Sequence, residues 1–244
     1  MIRTTIIVVA LALGFTGLVG VAQAGGLDSS GANVHDRASL QRGAALFVNY
    51  CQHCHSAEFM RYERLRQDLD LTEDQVLEYL AFGDQELADY MTSSMTTEQA
   101  TSWFDAPAPD LSLTARSRGG DWIYTFLRSF YLTEEGWNNT VQENSSMPHV
   151  LWELQGVQRP VYETETDSEG QERRVLVDLE MTEEGSLSAE EYDRSMRDLV
   201  AFMEYMAEPA ILDRKRVGVW VLLFLSLLTF LSYLVYKEFW KDIK

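Results

Sequence analysis

Three hydrophobic patterns follow one another along the chain. Residues 6–21 are almost unbroken apolar sequence, and Val217 to Tyr236 is a second run, twenty residues without a charge. Between them the apolar positions are periodic. Leu40, Gly43, Ala44, Phe47, Tyr50 and Cys51 recur at three- and four-residue steps, which predicts an amphipathic helix with Ser39 as its N-cap. Tyr192, Met196, Leu199, Val200, Met203 and Met206 form one face of a second helix over 188–208, opened by a Ser188/Glu191 capping box and ended by Pro209. Residues 61–102 read as short helices, one capped by Thr72, and Trp122 to Tyr131 as an apolar-rich helix. Residues 161–186 alternate instead, around an Asp167 to Gly170 turn, and predict a small inserted hairpin that serves as a loop or a docking surface. The expected fold class is mainly α: one domain with an inserted hairpin and one C-terminal transmembrane helix.

The two end runs fix the layout. Arg3, the apolar run and Ala22-Gln23-Ala24 have the three-part form of a secretory signal peptide over 1–24; a first transmembrane helix retained in the mature chain is the competing reading. At about 1.5 Å per residue the run at 217–236 matches a bilayer core of about 30 Å. Basic residues flank it on both sides, Arg214 to Arg216 before and Lys237, Lys241 and Lys244 after, so charge alone barely orients it. An exported body followed by a stop-transfer helix places 25–216 outside, on the periplasmic side of a cell inner membrane, and 237–244 in the cytoplasm.

Charge narrows the partners. Once Arg3, Lys237, Lys241, Lys244, Glu238 and Asp242 are set aside, the body over 25–216 carries −20. Such a field repels nucleic acid and favours encounter with a basic soluble protein, although a solvated acidic surface that serves only solubility has the same composition. The body is long enough for one core and short for two large domains.

The chain has two cysteines, in Cys51-Gln52-His53-Cys54-His55. C-x-x-C-H is the attachment motif of haem c. Two thiols three residues apart on one helical turn can reach the two vinyl groups of one porphyrin, and His55 can turn its imidazole toward the iron as one axial ligand. A thioredoxin-like redox pair would need a βαβ setting, and zinc would need more ligands than His35, His53 and His149 add. A disulfide across two residues would contribute little stability. One motif implies one covalently bound haem c.

The second axial position decides between electron transfer and binding of a small ligand. Met196, Met203 and Met206 are explained by a helix face, and Met60, Met91 and Met95 by helical stretches. Met147 lies in the turn-rich Asn144-Ser145-Ser146-Met147-Pro148-His149, where an apolar side chain has no periodic face to join and Pro148 restricts the backbone before it. Met147 leads on these grounds, with His149, Met91, Met95 and Met181 open. Arg116 and Arg118, in the Gly-bounded Thr114 to Gly120, are candidate donors to the haem propionates or else two solvated arginines.

Gly43 and Phe47 ahead of the motif, with Leu199-Val200-Ala201-Phe202 in the last helix, resemble the cytochrome c superfamily, in which those two helices cross at the glycine. Phe59-Met60-Arg61-Tyr62, Pro107-Ala108-Pro109-Asp110-Leu111-Ser112, Ala115-Arg116-Ser117-Arg118-Gly119, Trp137-Asn138-Asn139, Met147 to Gly156 and the C-terminal anchor together resemble the cytochrome c1 family, the haem c subunits of cytochrome bc1 complexes. The resemblance covers nearly the whole mature chain; Ala108 departs from a common Pro-Pro-Asp-Leu-Ser. It implies His55 and Met147 as axial ligands, Arg116 as propionate partner, Pro109 beside the macrocycle, and cytochrome b and a Rieske iron–sulfur protein as partners, with a cytochrome c accepting the electron. Catalysis then belongs to the ubiquinol–cytochrome c reductase complex, with no separate catalytic site in this chain. A free-standing membrane-tethered electron shuttle and a ligand-sensing haem protein share the attachment motif.

Overall fold

A computed structural model describes residues 26–166 and 171–242. The signal-peptide reading and the Asp167 to Gly170 turn lie outside the described residues.

The first helix, α1 (Arg37–Leu46), is capped by Asp36, whose carboxylate accepts from the Ser39 amide, so the cap falls three residues before the one expected. It runs into a wider π turn over Phe47–Cys51. Strand β1 (Ala57–Arg61) follows, then α2 (Tyr62–Leu69), α3 (Glu73–Tyr79), β2 (Tyr90–Met91) and α4 (Thr97–Phe104). Thr72 and Thr96 each form a capping box with a glutamine three residues on. β1 and β2 pair antiparallel, so Met60 and Met91 lie on strands and Met95 in a bend rather than in helices; this pairing joins segments thirty residues apart, which local periodicity does not register.

After α4 come α5 (Thr114–Arg118), α6 (Gly120–Arg128), β3 (Phe130–Thr133), β4 (Gly136–Asn139) and α7 (Trp152–Gln155). The expected helix through Tyr131 stops at Arg128, because Phe130 and Tyr131 pair with Asn139 and Asn138 across β4. Next, β5 (Gly156–Thr166) and β6 (Glu172–Glu184) pair antiparallel from Gly156↔Glu184 to Thr166↔Glu172, with register shifts between Val157 and Gln158 and between Val161 and Tyr162. The long helix α8 (Ala189–Ala207) opens on the Ser188/Glu191 capping box, and α9 (Ile211–Phe239) follows directly after Pro209. Within α9, Val217–Phe239 is long and apolar enough to cross a membrane, and none of it is buried in the protein.

The core is organised on the crossing of α1 and α8. A Cβ at Gly43 would lie 2.1 Å from the Asp198 carbonyl oxygen and 2.7 Å from Phe202 Cβ, so the helices meet where only glycine fits. Phe47 packs on Phe202 beside this point, ring centroids 5.5 Å apart. The Asp198 carboxylate, almost fully buried, accepts from Ser39 Oγ (2.6 Å), Arg42 Nε (2.6 Å) and Arg42 Nη2 (3.0 Å). Removing one partner of such a group strands the other in a dry place, so the cluster also specifies the register of the crossing.

Candidate functional site

The end of α1 delivers Cys51. Across the π turn the Gln52 amide bonds back to the Phe47 carbonyl at 2.9 Å, which keeps Phe47 in the core while Cys51 reaches a cavity; turns of this kind recur at functional sites. The cavity holds about 600 Å³ and is lined by Cys51, Cys54, His55, Pro109, Arg118 and Met147 among mainly apolar neighbours, a size and character suited to one large flat cofactor.

Cys51 and Cys54 stand as free thiols. Burial pushes the Cys51 thiol up to about 12 and also raises Cys54. A redox-active C-x-x-C pair is shifted the other way, toward thiolate, and the motif here follows α1 and its π turn rather than the strand that precedes it in a thioredoxin-like unit.

His55 is half-buried and its Nδ1 is 2.7 Å from the Pro109 carbonyl oxygen. A carbonyl only accepts, so Nδ1 carries the proton and Nε2 keeps its lone pair for a metal. Burial lowers the His55 pKa against the opposing pull of Pro109 and Asp110, which favours the neutral ring that ligation requires. Pro109 itself is fixed by the segment after the motif. Leu111 N–H donates to the Ser56 carbonyl (2.8 Å), Glu58 N–H to Asp110 Oδ2 (2.9 Å) and Phe59 N–H to Ser112 Oγ (3.1 Å). Asp110 and Ser112 therefore position the histidine. Their positioning role is absent from the sequence reading, although a side-chain acceptor two residues before a serine is a recognisable turn signal.

Met147 reaches the same cavity from a loop pinned at its root. Asn139, fully buried, donates through Nδ2 to the Phe126 carbonyl (2.8 Å) and accepts through Oδ1 from Val141 (2.9 Å) and Gln142 (3.2 Å), while Asn138 Oδ1 accepts from Asn144 (2.8 Å). His149 points elsewhere: its ring stacks on Phe130 at 4.9 Å and meets the Trp137 edge-on at 5.2 Å. Met91 is buried on β2, Met181 is exposed on β6, and neither they nor Met95 line the cavity.

The two arginines separate. Arg118 lines the cavity, its guanidinium 5.1 Å from the Trp122 ring centroid. Arg116 pairs with Glu208 at 3.3 Å and is outside the described lining. The residues present fit haem c: two thiols and a histidine on one turn, a histidine tautomer fixed for ligation, two thioethers in the same cavity, Met147 from the loop and Met203 from the packed face of α8, and one arginine for a carboxylate.

Comparisons with known proteins agree with that fit. The model of the cytochrome C1 family matches residues 29–243. The chain is 44% identical to a cytochrome c1 from Allochromatium vinosum, covering 89% of each chain. It is 43% identical to a protein of Nitrosomonas europaea named ammonia monooxygenase gamma subunit, over 89% of this chain and 88% of that one. It is 27% identical to a cytochrome b/c1 of Bradyrhizobium diazoefficiens, where 85% of this chain corresponds to 34% of the larger protein.

Proposed function

The chain belongs to the cytochrome c1 family, and from that premise we propose that it is the haem c electron-transfer subunit of a cytochrome bc1 complex. In this reading it takes electrons one at a time from a Rieske iron–sulfur protein and passes them to a cytochrome c, beside a cytochrome b. The single observation that carries the reading is the convergence of Cys51, Cys54, His55 and Met147 on one cavity, with His55 Nδ1 held by the Pro109 carbonyl.

When bound, a haem c supplies a one-electron iron couple. The chain's residues do the rest. Cys51, buried, and Cys54, half-buried, would hold the group through their two sulfurs. His55 would hold the iron through Nε2, its ring orientation set by the bond from Nδ1 to the Pro109 carbonyl. Met147, on the loop across the cavity, would hold the iron through its thioether, a ligand that would raise the potential relative to a second histidine and close the site to small ligands. Arg118, which lines the cavity, is the donor we favour for a propionate over Arg116, which pairs with Glu208. The apolar lining excludes water and so lowers the reorganisation that each electron transfer demands. No proton-transfer group is required, so enzyme activity as a ubiquinol–cytochrome c reductase is a property of the complex.

An exported haem domain with α9 as a single membrane span puts this site on the periplasmic side of the inner membrane, and the body's charge of −20 suits a basic cytochrome c. Affinity purification of the tagged chain from solubilised membranes tests the assignment. A cytochrome b and a Rieske protein co-purifying with haem c are expected; haem c on the chain alone would point to a free-standing shuttle, and carbon monoxide binding to the reduced form at neutral pH to a ligand sensor.

A further inference from the structure

One carboxylate joins the wall of the cavity to the membrane anchor. Glu208 closes α8, with its amide bonded to the Glu204 and Tyr205 carbonyls at 3.2 and 3.1 Å. Its Oε2 is 3.3 Å from Arg116 Nη1, and Arg214 Nη1 donates to Oε1 at 2.8 Å and to Oε2 at 3.0 Å. Arg116 belongs to α5, of which Thr114, Ser117 and Arg118 line the cavity. Arg214 lies in the first turn of α9, ahead of the membrane span.

The backbone at this point is a hinge with few freedoms. α8 ends at Ala207 and α9 begins at Ile211. Pro209 has a fixed φ, Ala210 is already helical (φ −63°, ψ −12°), and the Ile211 amide bonds to the Glu208 carbonyl at 2.9 Å. Glu208 itself lies at φ −151°, ψ 76°, outside both the helical and the strand regions, so a rotation there would change the angle between the soluble domain and α9, with Leu212 packed on the core as the other restraint. Val217 opens the apolar span three residues beyond Arg214. At helical rise that puts Arg214 about 4.5 Å before it, at the headgroup layer.

We propose that Glu208 is a positioning residue that fixes the tilt of the haem cavity against the membrane span by bridging Arg116 and Arg214. The inference rests on the haem reading above. Arg116 and Arg214 are 63% and 59% exposed at the side chain and Glu208 28%, so the bridge contributes little to folding; its effect is on orientation. In an electron carrier anchored by one helix, orientation sets how the haem edge meets a donor held in the same membrane.

The test is electron paramagnetic resonance of the oxidised haem in oriented multilayers of membranes that hold the intact complex, which reads the angle between the haem plane and the membrane and its spread. Glu208→Gln is expected to broaden that spread and shift its mean, with haem potential and unfolding midpoint unchanged, and Glu208→Asp to restore it. Arg214→Gln, which cuts only the anchor side, should broaden it likewise, whereas Asp70→Asn, which breaks the unrelated Arg37 pair, should not. A wild-type spread in both Glu208→Gln and Arg214→Gln overturns the bridge and leaves the haem assignment standing. Absence of a haem signal from the wild-type chain overturns both.

Discussion

Gly43→Ala sets two effects of opposite sign against each other. By helix propensity alone the change stabilises α1 by about 1 kcal/mol. The structure dictates the reverse. The new Cβ would stand 2.1 Å from the Asp198 carbonyl oxygen and 2.7 Å from Phe202 Cβ, atoms whose positions the backbone fixes and no rotamer change moves aside. To regain ordinary contact α8 must retreat by at least ~1 Å. That displacement loosens the Phe47–Phe202 packing and stretches the three bonds that the Asp198 carboxylate accepts from Ser39 and Arg42. Overpacking of this kind costs about 1–3 kcal/mol, and weakened bonds to a buried charge about 1–3 kcal/mol more. After the propensity gain the net loss is about 1–5 kcal/mol, a fall of roughly 2–20 °C in the unfolding midpoint at about 2–4 °C per kcal/mol for a domain of this size. Thermal unfolding of the full chain in detergent, followed by far-ultraviolet circular dichroism, measures it. A midpoint equal to or above that of the parent would refute the crossing geometry, because then propensity alone would have decided the outcome.

Other perturbations separate neighbouring residues. Arg118→Gln should lower the haem midpoint potential by removing a positive charge from the cavity wall, while Arg116→Gln leaves it unchanged; potentiometric titration of both decides which arginine serves the propionate. Glu204 is half-buried beside Gly120, and burial together with Asp121 raises its pKa above 4.5. The folded state therefore holds that proton more tightly than the unfolded one, so the ionised group penalises folding increasingly as pH rises above 4.5. Glu204→Gln, permanently neutral, should be more stable than the parent at pH 8, with the advantage disappearing below pH 4.5; denaturant midpoints across that range check it.

What was legible in the sequence was what is local. The Ser188/Glu191 capping box, the apolar face from Tyr192 to Met206 and the attachment motif each fit within a few turns, and each lies where the spacing put it. Gly43 was legible as a place of close approach because an interior glycine carries a cost that packing must answer. Ser39 was one helical turn late as a cap: both Asp36 and Ser39 are good capping residues, and the choice of Asp36 frees Ser39 to serve the buried Asp198, a partner 159 residues away. The strands at 57–61 and 130–133 were missed because their partners are supplied by distant or turn-linked segments. Arg116 and Arg118 differ by two positions on a helical turn, a rotation of about 200°, which places one on the cavity and the other on Glu208. Composition gives no information about such a rotation.

The central claim, a haem held by His55 and Met147 for electron transfer, is tested most directly by the visible spectrum of the oxidised chain. A thioether on ferric haem gives a weak charge-transfer band at the red end of the spectrum. That band is expected in the wild-type protein and lost in Met147→Leu, with a lowered potential in that variant and haem still covalently attached. A band that survives in Met147→Leu, or is absent from the wild type, would contradict it.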